Sequence, residues 1–447
     1  MSRIVVLIDG EHYPPVVRYA MAQLSEDHEV VAAAFLGGTE KVDFESGIET
    51  YGVPLVWADS AEDAVTAAIE AHKPEIVVDL SDEPVVTSAE RFELAGIALS
   101  HGVEYRGADF HFSPPRPLVR TTTPTLSIIG TGKRVGKTAV SAYAARLLKS
   151  RGRDIVVLAM GRGGPGEPEL IRGDEVALTT PDLLALARQG KHAASDNYED
   201  AVMSRVTTVG CRRCGGGMAG ETYFSNVPEG ALLADSLGKE LLVLEGSGSA
   251  IPPVHADATM LIVGAGRGLT YVRDYFGPYR VHSADAVVLA SAEEPNATDD
   301  EVAALTAAVR AIKPQMPVIA TTFRPAPIAP VEGARVFFAT TAPEGVLPKL
   351  RAYLEAEFGC SVVGVSHNLS NRALLRRDMQ SCAGAYDLLL TELKAAAIDV
   401  VAAAGEESGV PTVLCDNVPV SVDGADLERL VLDAAGLALE RGAERGE

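Results

Sequence analysis

The residues of this chain best suited to chemistry lie in Thr125–Ala139, TLSIIGTGKRVGKTA. Leu126, Ile128 and Ile129 form a short apolar run that predicts a buried strand. Gly130, Thr131, Gly132, Lys133, Arg134, Val135 and Gly136 make a glycine-rich turn, and Lys137 and Thr138 open a helix running through Leu148. Strand, glycine turn and helix in that order form a phosphate cradle. Backbone N–H groups and the helix N-terminus face an anion, Lys137 adds positive charge, and the Thr138 hydroxyl can hold Mg²⁺. The spacing departs from GxxxxGK[ST]: Thr131 stands where the first glycine is expected, and Gly130 precedes it by one residue.

Other groups extend this chemistry. Glu245 closes an apolar run and precedes Gly246-Ser247-Gly248-Ser249. A carboxylate at a strand end beside a phosphate loop is where Mg²⁺ bridging the β- and γ-phosphates is held; a cap on the following turn is the alternative. Lys133 and Arg134 place two further charges beside Lys137, suited to neutralising a transferring phosphoryl group. Cys211-Arg212-Arg213-Cys214, followed by three glycines, reads best as an anion clamp, since guanidinium binds phosphate bidentately and glycine lets backbone N–H groups approach. Zinc needs two more ligands than this CxxC supplies, a redox pair lacks its context, and a plain glycine loop remains open. Arg162 sits among glycines in MGRGGPGEPE. Arg372 and Arg376, spaced i, i+4, share a helix face that can close over an anion. Asp9 and His12 lie in DGEHYPP at the carboxyl end of the first strand, where ligands of parallel sheets collect. Phe323-Arg324-Pro325 follows a strand at the place where a nucleotide base rests in such folds.

Composition excludes several functions. With 39 Lys plus Arg against 61 Asp plus Glu, the net charge is −22. That surface repels nucleic acid and anionic membrane, and it makes any local cluster of cations informative. No apolar run approaches the roughly 20 residues needed to span a bilayer. The first strand begins at Ile4 with no basic leader ahead of it, and the five cysteines are scattered, so a reducing cytoplasmic setting is expected.

Three α/β regions are expected. Residues 1–115 alternate apolar runs with helix-length segments, as a Rossmann-like unit with a parallel sheet does. A proline-rich joint, Ser113–Pro124, leads into a phosphate-loop domain over 124–345 with its own large parallel sheet. Residues 346–447 form a third region, with apolar runs at 361–365, 400–404 and 412–414, a long helix over about 370–393, and a tail after Ala434 expected to fray.

The loop GTGKRVGKT resembles the GTxxxxGKT loop of dethiobiotin synthetase and related ATP-dependent ligases, and VLEGSGS resembles their VxEGAGG segment. That likeness implies Mg²⁺ on Thr138 and Glu245 and a second carboxylate, for which Asp174 and Asp182 are both placed. IDGEHYPPVV, MGRGGPGEPE, SDNYEDA, TTVGCRRCGGGMAG, LEGSGSAIPPV and SHNLSNRALLRRDM together resemble the cyclic 2,3-diphosphoglycerate synthetase family over essentially the whole chain. The resemblance implies ATP-driven formation of an intramolecular phosphoanhydride in 2,3-diphosphoglycerate. Arg162, Arg212, Arg213, Asp9, His12, Arg372 and Arg376 are then substrate contacts, and a homodimer is expected. The rivals are another ATP-dependent ligase or kinase of this fold, and an assembly ATPase switched by nucleotide. The latter carries lysine before the glycine pair of its loop, where this chain has Gly132.

Overall fold

The structure is a computed structural model and describes residues 1–38 and 50–445. Two sheets organise it. The first contains β1 (Ser2–Ile8), β2 (His28–Phe35), β3 (Leu55–Val56), β4 (Ile76–Asp79), β5 (Glu104–Arg106) and β6 (His111–Phe112), in the order β3-β2-β1-β4-β5-β6. All its pairings are parallel except β5 with β6. Ile4 to Ile8 are fully buried, as a strand covered on both faces must be.

The second sheet has 13 strands. They are β7 (Thr125–Gly130), β8 (Ile155–Gly161), β9 (Glu169–Arg172), β10 (Thr207–Cys214), β11 (Phe224–Ser225), β12 (Leu241–Glu245), β13 (Ala258–Gly264), β14 (Ala286–Ala290), β15 (Val318–Pro327), β16 (Arg335–Ala339), β17 (Ser361–Ser366), β18 (Leu388–Glu392) and β19 (Thr412–Ser421). Their order is β11-β10-β8-β12-β7-β13-β14-β15-β19-β18-β16-β17, with β9 paired to β10. From β10 to β15 the strands are parallel, which makes this half the sheet of a P-loop NTPase. β19 then runs antiparallel to β15, and β16, β17 and β18 are parallel to β19 or to one another. The C-terminal strands therefore extend the same sheet in the reverse direction. β16, read from sequence with the phosphate-loop strands, lies beyond β19 in this reversed half.

Other expectations are corrected. The helix expected over 370–393 is two elements, a helix Arg372–Ser381 and the buried strand β18. Gly384, at φ +78°, turns the chain between them. The apolar run at 400–404 is helical, not a strand; a short continuous apolar stretch has no period that separates the two states. The tail after Ala434 belongs to a helix, Leu427–Glu444, whose buried face includes Val431, Ala435 and Ala438. Its end is pinned: Arg441 Nη1 donates to the Asp257 carbonyl at 2.8 Å and Arg445 Nη2 to Asp257 Oδ2 at 2.6 Å.

The two sheets meet through the helix Ser88–Ser100 against the helix Gly277–His282, with Leu94, Ala219, Phe276 and Tyr279 in one core cluster. The segment 113–124 crosses between them, tied by the Leu118 N–H to the Pro253 carbonyl at 2.9 Å. No described helix is long and apolar enough to cross a membrane.

Candidate active site

β7 delivers the glycine turn to the carboxyl edge of the large sheet, and the helix Lys137–Ser150 leaves it. Two glycines are required by geometry. A Cβ on Gly130 would stand 2.8 Å from Lys137 Cδ, so the lysine stem lies directly across this residue. Gly136 has φ +92°, a left-handed conformation that L side chains rarely adopt, and a Cβ there would enter the Phe323 ring. Lys137 is buried, with Nζ donating to the Gly132 carbonyl at 2.7 Å. Arg267 Nη2 donates to the Lys133 carbonyl at 3.1 Å and holds the loop tip.

Glu245 ends β12, the neighbour of β7, and is buried. The Thr138 hydroxyl and the Asp200 carboxyl lie against it. Asp200 is fully buried; both its oxygens and Glu245 Oε2 lack any hydrogen-bond donor, as does the buried Thr131 Oγ1. Two carboxyls in contact, with only the Thr138 hydroxyl as a neighbouring donor, share a proton or a cation. Burial first, then the Asp196 charge, raises Glu245 to about 7, and burial with Glu245 alongside raises Asp200 far above the carboxylate range. Asp196 and Asp200 come from the helix Asp196–Ser204. This helix is the SDNYEDA segment, to which sequence reasoning gave no role. Its signal was there: Asp196 and Asp200 are i, i+4 and share one face.

The cations converge opposite. Burial draws Lys137 down to about 8; Glu245 and Asp196 oppose this, while Arg162 and Arg213 add to it. Lys133 is lowered first by Arg162, then by burial and by Arg134. Burial and Arg162 lower Arg213, whose Nη2 donates to the Ser247 carbonyl at 2.7 Å. Lys133, Arg134, Lys137, Arg162 and Arg213 thus form one positive group.

Several expected residues stand elsewhere. Asp174 accepts from Thr207 Oγ1 at 2.7 Å beside a cavity of about 290 Å³ lined by Lys149, Arg153 and Asp154, at the amino ends of β8 and β10. That is a strand's length from the phosphate loop, roughly 20 Å at about 3.3 Å per residue. Asp182 caps its own helix, Thr180–Arg188, accepting from Thr179 N at 2.8 Å. Neither is the second carboxylate. Arg212 and Arg213 are consecutive in β10 and so point to opposite faces; Arg212 lies against Gly166, and the two guanidinium groups do not form one clamp. Cys211 and Cys214 face apart for the same reason, with Cys211 buried and Cys214 exposed, which removes zinc and a disulfide between them.

Asp9 is fully buried and its carboxylate is saturated. Oδ1 accepts from Glu11 N, His12 N and His12 Nδ1 at 2.9, 3.1 and 2.8 Å, and Oδ2 from Asp82 N at 2.7 Å. It shapes the loop rather than facing a ligand. His12 is held between Asp9 and Asp82, 3.3 Å from Asp82 Oδ2. Arg372 is bidentate to Asp399, with Nη2 at 2.6 Å, so its charge is neutralised within the C-terminal unit; Arg376 is exposed one turn on. Phe323, Arg324 and Pro325 lie within β15, not after it. Phe323 backs Gly136, Pro325 is buried, and Arg324 is paired with Glu293 at 2.9 Å.

A parallel sheet, a glycine turn with a buried lysine at its carboxyl edge, and a buried carboxylate on the adjacent strand define a P-loop nucleotide-dependent enzyme. Family models described as the P-loop, N-terminal and C-terminal domains of cyclic 2,3-diphosphoglycerate synthetase match residues 125–322, 3–113 and 327–418. The chain belongs to the cyclic 2,3-diphosphoglycerate synthetase family. It is 50% identical to the synthetase of Rubrobacter xylanophilus over 99% of this chain and 98% of that one. It is 44% identical to that of Methanothermus fervidus over 98% of each, and 47% identical to that of Thermococcus kodakarensis over 98% and 100%.

Proposed function

We propose that this protein uses ATP to close 2,3-diphosphoglycerate into cyclic 2,3-diphosphoglycerate, releasing ADP and phosphate. The observation that carries the reading is the convergence of Lys133, Arg134, Lys137, Arg162 and Arg213 on one loop in a chain of net charge −22. Joining two phosphates needs no strong base, because the attacking oxygen is already anionic. The obstacle is repulsion between anions, which fixed cations in a water-poor cleft remove. Names of relatives aligned over nearly their full length support the same substrate.

Thr138, Glu245 and Asp200 fit Mg²⁺. Both Asp200 oxygens and Glu245 Oε2 are buried without a hydrogen-bond partner, which a cation would satisfy, and Mg²⁺ binds few protein carboxylates because it keeps water and phosphate oxygens as ligands. When bound, Mg²⁺ supplies charge neutralisation at the β- and γ-phosphates. Lys137 and the loop N–H groups hold the ATP phosphates, and Lys133 and Arg134 face the transferring phosphoryl group. Arg162 and Arg213 orient the substrate. One substrate phosphate oxygen takes the γ-phosphoryl group and ADP leaves. The neighbouring phosphate then attacks the phosphorus so activated, closing the ring as inorganic phosphate departs.

ADP release measured with and without 2,3-diphosphoglycerate tests this reading. The proposal requires ADP formation to depend on that substrate; a nucleotide-switched ATPase turns over ATP alone, and an unchanged rate on adding the substrate contradicts the proposal. Arg213→Ala raises KM for 2,3-diphosphoglycerate at least about tenfold, whereas Arg212→Ala, on the other strand face, changes it less than about threefold; steady-state kinetics at saturating ATP compares them. ATP binding also carries a pH signature. With Lys137 near 8 in the free protein and charged when it meets phosphate, binding takes up a proton above that pH. The Kd for ATP therefore rises toward about tenfold per pH unit between about 8 and 10. Calorimetry in buffers of different ionisation enthalpy reads the uptake; a flat Kd over that range contradicts the assigned charge state.

A further inference from the structure

We propose that Lys394, which belongs to the C-terminal unit, is a positioning residue for the carboxyl pair at the phosphate loop. The inference rests on the metal reading above. The helix Asp196–Ser204 carries Asp196, Glu199 and Asp200 in little more than one turn. Glu245 from β12 and Glu392 from β18 act on the same helix. These five carboxyl groups act on one another along the helix, so each negative charge kept there must be offset by a cation or removed by a proton. Lys137 answers this on the phosphate-loop side. On the other side Lys394 Nζ lies 2.7 and 2.6 Å from Glu199 Oε1 and Oε2, across 195 residues of chain.

The helix packs on β8, β10 and the helix Lys137–Ser150, and Lys394 adds a charged hold near its N-terminus. Its N-cap Ser195 makes no side-chain capping bond; Ser195 Oγ donates to Asn197 Oδ1 instead, at 2.5 Å. Leu393, beside Lys394, packs in the same cluster as Tyr198 and Val202 of the helix. Glu199 precedes Asp200 and follows Asp196 by three residues, so fixing Glu199 fixes where both aspartates stand. On this basis the C-terminal unit reaches the chemistry without touching substrate, by holding the Asp200 carboxyl against Glu245.

The test is Mn²⁺ binding in place of Mg²⁺, followed by electron paramagnetic resonance with ADP present, on full-length protein. Lys394→Met weakens Mn²⁺ at least about tenfold, as loss of an outer-shell partner does, while leaving metal-free ADP affinity unchanged. Lys394→Arg, which keeps the ion pair, stays within about threefold of wild type, and Glu199→Gln behaves like Lys394→Met. A purely structural pair lowers Tm without changing metal affinity. Wild-type Mn²⁺ affinity in Lys394→Met therefore overturns the positioning role and leaves the metal reading standing. Failure of wild-type protein with ADP to bind Mn²⁺ overturns the metal reading itself, and the positioning role with it. Should Lys394→Met not fold, Glu199→Gln decides, with unchanged Mn²⁺ affinity counting against the proposal.

Discussion

Lys137→Ala lowers substrate-dependent ADP formation by at least about 1000-fold while the protein remains folded. Lys137 is the buried cation of the loop, its stem lies across Gly130, and its Nζ rests on the Gly132 carbonyl where phosphate oxygens take over. Removing one preorganised charge from a desolvated transition-state site costs about 100- to 1000-fold; here the same lysine also offsets the acidic side of the site, which adds to the loss. Folding survives because Lys137 begins a helix, where alanine is well tolerated. Lys137→Arg does not rescue, since the larger planar head has no room above Gly130 and presents a different donor geometry. Steady-state rates with Tm as the folding control check this result. A loss below about tenfold in folded Lys137→Ala removes the lysine from the chemistry.

Glu245→Gln and Asp200→Asn each reduce turnover by about 100- to 1000-fold, yet neither lowers the Tm of the metal-free protein. Two buried carboxyls in contact are a liability without a cation, and an amide of the same shape supplies the missing donor. The pH dependence has a definite sign. Glu245 is raised to about 7 in the fold from an ordinary 4.5, so between those values the folded state binds more protons than the unfolded. This group therefore costs stability as pH climbs from about 4.5 through 7. Glu245→Gln consequently gains Tm over wild type at pH 8 and much less at pH 5. Adding Mg²⁺ with ADP raises the wild-type Tm more than that of either variant, because a ligand stabilises the state that binds it. The double variant is little worse than either single one, as expected for groups acting as a unit. Metal-free Tm values well below wild type at pH 8 contradict the shared-cation site.

Much of this site was legible from residue types alone. The loop, Lys137, Thr138, Glu245 and Arg162 could be placed because strand, glycine turn and helix follow from local pattern, and a carboxylate after an apolar run marks a strand end. What could not be read depended on strand identity and long-range pairing. Arg212 and Arg213 looked like a pair until β10 proved to be a strand, whose period of two separates neighbours. Asp174 and Asp182 were near enough in sequence, but one falls at the amino edge of the sheet and the other caps a helix. Asp200 was missed because it meets Glu245 only once the Asp196–Ser204 helix packs on β8 and β10, beside the end of β12. The reversal at β19, and with it the approach of Lys394, rests on an antiparallel pairing between segments about ninety residues apart, for which no local period gives a sign.

The central claim is that the two anions meet at one loop and leave as a cyclic phosphoanhydride. Phosphorus NMR of the purified protein with ATP, Mg²⁺ and 2,3-diphosphoglycerate tests it most directly. The account predicts phosphoanhydride resonances of a cyclic product growing with ADP and inorganic phosphate in equal amounts, and their absence in Lys137→Ala. ADP and phosphate appearing while the 2,3-diphosphoglycerate resonances stay unchanged contradicts it.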